Sequence, residues 1–99
     1  MPKFRKKPVV IEAFQMTHKR RASNAGWPEW MHAAWQKERE TPGSLYPTKK
    51  GTGTGTLSIG TLEGQHLVSW GDWIIKGVQG ELYHCKPAIF DATYEPVED

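Results

Sequence analysis

The chain has 99 residues, five of them tryptophan, with 37% hydrophobic and 24% charged residues and a formal net charge of +2. That length suits one domain, residues 1–99, with a single core, and no apolar run is long enough to span a bilayer. The lone cysteine, Cys85, excludes an internal disulfide and fits a reducing compartment, while the basic opening lacks the apolar stretch of a secretory signal.

The small net charge conceals an asymmetry. Residues 1–50 carry eleven Lys and Arg against four Glu, a net +7, and residues 51–99 carry two Lys against seven acids, a net −5. Such sorting predicts attraction between the halves, within the fold or across an oligomer, or a basic half that faces a polyanion.

Residues 9–14 alternate on a β-branched base and predict a strand, with Pro8 at its start, where no ladder donor is needed. Residues 17–26, rich in Lys, Arg, Ser and Asn, predict a solvated loop. A helix is predicted over 27–39. Trp27, Trp30, Met31, Ala34 and Trp35 fall on one apolar stripe, Pro28 sits in the first turn, and Pro42 and Gly43 stop it. The stripe is expected to pack on a sheet; the alternative gives one tryptophan, at its edge, a base to stack on.

Residues 42–56 read as loop and end in an alternation of Gly and Thr behind Lys49 and Lys50. This tract lacks the Gly-Lys-Ser/Thr and the following helix of a phosphate-binding loop. Strands are predicted at 56–62 and 65–69 around a turn at Glu63 and Gly64. A second pair is predicted at 73–76 and 81–85, around 77–80, with Gly71 and Asp72 joining the pairs. Residues 86–91 suit one helical turn led by Pro87, and 92–97 a last short strand pairing with the first. The expected fold class is α+β, a small curled antiparallel sheet or half-open barrel of about six short strands with one Trp-rich helix.

Two blocks stand out as motifs. The opening block runs Lys3, Phe4, Arg5, Lys6, Lys7, Pro8, Val9, Val10, Ile11, Glu12, Ala13 and Phe14. The closing block holds Gly71, Asp72, Trp73, Ile74 and Ile75, then Gly80 and Glu81, then Cys85, Lys86 and Pro87, then Thr93, Tyr94 and Glu95. Together they resemble a family of small tailed-phage and prophage proteins. These begin with Arg-Lys-Lys-Pro and end in Gly-Asp-(Trp/Tyr)-Ile-Ile, a Gly-Glu hairpin, Cys-Lys-Pro and Thr-Tyr-Glu. The likeness covers roughly the first 15 and the last 40 residues; the middle looks particular to this chain. It implies a phage origin and action in the host bacterial cytoplasm, and leaves the biochemistry open. The family pattern often has proline where His84 stands and aspartate where Ala88 stands, so His84 suits no activity shared across the family.

Candidate chemistry follows from residue types. His18, His32, His66, His84 and Cys85 show no ligand spacing, which predicts no metal and no cofactor. His66 and His84 lie on separate predicted strands, and two facing imidazoles can pass protons in phosphodiester cleavage, with Glu12 as a further carrier. Their triplets, His66-Leu67-Val68 and His84-Cys85-Lys86, lack the hydroxyl of the two-histidine phosphoesterases. No Gly-x-Ser-x-Gly elbow occurs. Aromatic and cationic side chains give the richer signal. Trp70, Trp73 and Tyr83, with Lys76 and Lys86 from the same region and Lys7 from the basic opening, suit a nucleobase and its phosphate. Base–aromatic stacking is worth about 1–3 kcal/mol per base.

The first functional expectation is a phage-encoded binder that sequesters a small nucleotide immune signal, of cyclic dinucleotide or ADP-ribose type, to counter bacterial anti-phage defence. Such a protein would work by stoichiometry, as a homo-oligomer. The alternatives are a metal-independent phosphodiesterase cleaving a cyclic dinucleotide through His66, His84 and Glu12, and a DNA- or RNA-binding accessory protein using the basic half. No membrane partner is expected.

Overall fold

The computed structural model describes residues 2–5, 8–23, 26–47 and 57–97. Six strands form two antiparallel three-stranded sheets. Sheet A has the order β1-β5-β6, from Glu12–Gln15, Trp73–Lys76 and Leu82–Cys85; sheet B has the order β2-β3-β4, from Leu45–Pro47, Leu57–Thr61 and Gly64–Val68. Three helices join them: α1 at His18–Ser23, α2 at Glu29–Gln36 and α3 at Pro87–Thr93. The class is α+β, with the sheets not closed into a barrel.

Register decides which side chains meet. Phe14 lies opposite Ile74 and Ile74 opposite His84, so these three share one face of sheet A; Trp73 opposite Cys85 and Ile75 opposite Tyr83 share the other. In sheet B, Leu45 and His66 flank Ile59, and Val68 faces Leu57. The inner faces of both sheets close on a core of Met16, Trp27, Met31, Ala34, Leu45, Leu57, Ile59, Val68, Ile74 and Leu82, bordered by Phe14, Trp30, Trp35 and Trp70. Each fully buried aliphatic side chain here contributes about 1.5–3 kcal/mol. β6 packs against β3 and β4, and α2 packs against β2.

Four expectations need correction. The loop expected at 17–26 holds α1. Thr17 accepts the Arg20 amide hydrogen bond on its hydroxyl, at 3.1 Å, and starts the helix as an N-cap. The two arginines then find aromatic partners, Arg20 over Phe14 and Arg21 over Trp35. The loop expected at 42–56 contains β2, because Leu45 fills the core opposite Ile59; Pro47 is accommodated because β2 is an edge strand. The Gly-Thr tract at 51–56, with Lys49 and Lys50, lies outside the described residues. The strand expected at 92–97 is absent from the described ladders: α3 runs on to Thr93, and the described residues 94–97 belong to none of the six strands. The first and last segments therefore do not pair, and β1, shifted to Glu12–Gln15, pairs with β5.

Glycine matters most at two places. Gly60 in β3 has the Thr41 carbonyl and the Ser44 hydroxyl so close that a Cβ would strike them. Gly71 takes φ 95°, which turns the chain between β4 and β5 and brings it against Pro87.

Candidate functional site

The sequence-selected residues fall into three places, set by the two faces and two ends of sheet A. The first is the turn before β5. Asp72 is 1% exposed, and its Oδ2 accepts the Ser69 amide at 2.9 Å. Lys86 Nζ lies 3.3 Å from Oδ1, and His84 Nδ1, a buried atom, lies 3.6 Å from Oδ2. His84 in turn meets the His66 ring edge-on, with centroids 6.0 Å apart. Both imidazoles stand on the inner faces of their sheets, opposite Ile74 and Ile59, where β4 and β6 approach. The fold thus brings His84 and Lys86 to one buried carboxylate, with His66 joined to this pair through its ring contact with His84. It leaves Glu12 two strands across and at the other end of sheet A, paired with Lys76 at 3.6 Å. Among the described residues, no three His, Cys, Asp or Glu side chains are grouped to hold a metal ion.

The second place is the outer face of sheet A. Trp73 does not present an open ring there: Phe90 of α3 stacks on it at 4.1 Å and 6°, and Tyr94 follows Phe90 at 5.0 Å. Trp70 is half-buried at the core margin, with His18 against it edge-on at 5.3 Å. Tyr83 meets the Tyr94 hydroxyl at 3.5 Å, and burial, reinforced by that hydrogen bond, pushes its phenol up to about 12. Tyr83 lines a groove of about 580 Å3 whose charged lining, among the described residues, is Glu81 and Glu95. Lys7 lies outside the described residues.

The third place lies between α2 and the β5–β6 hairpin. Trp30, Ala33, Ala34 and Lys37 follow one another at i, i+3, i+4 and i+7 along α2 and its C-cap, one side of a helix. With Lys76, Leu82 and two glycines they line a hollow of about 160 Å3. One indole and two ammonium-bearing side chains therefore border the same small space. Lys76 belongs to the sequence-selected set; Trp30 and Lys37 do not, although their seven-residue spacing on the apolar helix was a signal that could have paired them. Asp72 was also missed as an organising residue. A polar side chain at a turn gives no sequence sign that it will be buried.

These arrangements can do different chemistry. The Asp72 cluster sets an imidazole 3.6 Å from a carboxylate, beyond hydrogen-bond reach, with the buried His84 Nδ1 left without a hydrogen-bond partner among the described residues. The 160 Å3 hollow offers a flat ring and positive charge but no nucleophile or base. The groove offers apolar walls with an acidic rim. No helix among the described residues is long and apolar enough to cross a membrane. Compared with known proteins, the chain matches no family model, no curated protein and no solved structure.

Proposed function

We propose that this chain is a binding protein that holds a small nucleotide stoichiometrically, with the hollow between α2 and the β5–β6 hairpin as its anchor. One observation carries the reading: Trp30, Lys37 and Lys76 line the same space, and an indole with two ammonium groups suits a base or ribose edge with its phosphate. The hollow takes one ring or one phosphate group. It falls well below the about 300–1,000 Å3 of a site that encloses a whole ligand, so the rest of a cyclic dinucleotide or an ADP-ribose derivative would lie outside it. Glu12 occupies Lys76 in the free protein at 3.6 Å, and an incoming phosphate takes its place. The resemblance to small phage proteins gives this activity its context, capture of a nucleotide immune signal in the bacterial host.

The Asp72 cluster favours a second reading, cleavage of the same class of signal. His84, beside Asp72, and His66 would then be the proton carriers and Glu12 would have no part. One experiment separates the two. The protein is incubated with a molar excess of cyclic dinucleotides and ADP-ribose derivatives, bound ligand is released by heating, and all of it is chromatographed. Capture predicts one equivalent recovered intact, with retention lost in Lys37→Ala and Lys76→Ala. Turnover of the excess, abolished by His84→Ala, would replace capture with catalysis.

A further inference from the structure

The 580 Å3 groove on the outer face of sheet A has no role in either reading of the nucleotide site. Residues 8–11 form one wall, residues 93–97 the other, and Tyr83 and Tyr94 line it between them. Its apolar walls are unusually open: Val10 is 74% exposed, Val78 72% and Val97 64%. Adjoining apolar exposure of this kind marks a contact surface. Among the described residues its charged lining is acidic, Glu81 and Glu95. The opening segment has the opposite character. Phe4 is 93% exposed, and Lys3 and Arg5 flank it. An exposed aromatic between two cations thus matches an open apolar groove between two carboxylates, and in this structure Phe4 is not in its own chain's groove.

We infer that the groove receives the N-terminal arm of a second copy of this chain, with Phe4 seated between residues 8–11 and 93–97 and Lys3 and Arg5 against Glu81 and Glu95. Because each copy carries one arm and one groove, reciprocal insertion closes the contact as an isologous dimer and leaves no unfilled groove. The inserted ring supplies the apolar burial. The rim charges set the direction of the arm and add salt sensitivity. The inner-face hollow takes no part, so this inference stands or falls separately from the nucleotide reading.

The test is light scattering after size exclusion, on the full chain without nucleotide, at micromolar concentration and low salt. The expected mass is twice the 11.2 kDa of one chain. Phe4→Ala, which alters a side chain with no packing in the single chain, should halve the mass and leave the circular dichroism and melting curve of the monomer intact. Lys3→Glu with Arg5→Glu should do the same, and adding Glu81→Lys and Glu95→Lys should restore the dimer. A wild-type mass of 11.2 kDa overturns the inference, including a monomer whose Phe4 proves protected by its own groove. A dimer indifferent to Phe4→Ala and to the charge reversals overturns it equally, as does a larger open-ended assembly.

Discussion

Trp73 and Lys86 both already have partners within the fold, although the Lys86 side chain is itself 57% exposed. The indole lies flat on Phe90, and the ammonium lies beside a carboxylate that is 1% exposed. Trp30, Lys37 and Lys76 have the same chemistry, yet they border open space. Among the described residues Lys76 is ion-paired with Glu12, whose side chain is 66% exposed. A ring and a cation become a ligand site only where the fold leaves one face of the ring and one side of the charge unused. At the outer face of sheet A, Phe90 of α3 covers the ring, and in the turn before β5 Asp72 takes the charge; between α2 and the hairpin, a ring and two cations border one hollow.

The largest expected effect sharpens the internal half of that comparison. Asp72→Ala removes the partner of Lys86, the acceptor of the Ser69 amide and the neighbour of His84. It should cost about 2–3 kcal/mol in denaturant unfolding; a loss near zero would show that the cluster does not hold the turn. Next, Phe90→Ala uncovers Trp73 and should cost about 2 kcal/mol, with a red shift in tryptophan emission. An unchanged spectrum would mean that the ring was never covered in solution.

The open half predicts the reverse pattern. Lys37→Ala and Lys76→Ala should each leave stability within about 0.5 kcal/mol of wild type, while lowering affinity for a bound nucleotide about tenfold in a calorimetric titration. Substituting Trp30 is less informative, because the ring also packs against the core. A smaller change in the opposite direction is expected from Glu12→Gln, which frees Lys76 and should raise affinity about two- to fivefold. Glu12→Gln with weaker binding would place the carboxylate in contact with the ligand and break the argument.

The smallest effect concerns pH. The Tyr83 phenol is held near 12 in the fold, above its ordinary value of about 10, so the folded state favours the protonated form. Its contribution is complete below pH ~10 and is lost as the pH climbs through the folded value. Tyr83→Phe should flatten that alkaline loss, as followed by thermal melts across the range, and remove the late-titrating step in tyrosinate absorbance.

Much of the architecture was legible because period and turn chemistry agree locally. The strand at 73–76 and its hairpin partner, the tryptophan stripe of α2, and the Pro87 helix start all rest on side chains a few residues apart. What escaped depended on distant partners. Thr17 becomes a cap only because α1 has Phe14 and Trp35 to receive its arginines. Leu45 becomes a strand residue only when Ile59 lies opposite. The site divided in the same way. That His66 and His84 stand on separate strands was readable from local pattern, whereas Trp73 and Lys76, read as one set, lie on opposite faces of β5. That Trp73 would be covered, that Lys86 would answer Asp72, and that Lys76 would find Trp30 and Lys37 across the fold are consequences of packing between elements far apart in sequence.

The central claim is that Trp30, not Trp73, meets the ligand, and the five indole N–H resonances of this chain offer the direct reading. In a two-dimensional NMR titration with a cyclic dinucleotide or an ADP-ribose derivative, the account predicts that the Trp30 indole signal moves to saturation at one equivalent. The Trp73 signal should hold its place, and saturation should need about tenfold more ligand in Lys76→Ala. Movement of the Trp73 signal with Trp30 unmoved, or no movement of any indole across both ligand classes, would contradict it.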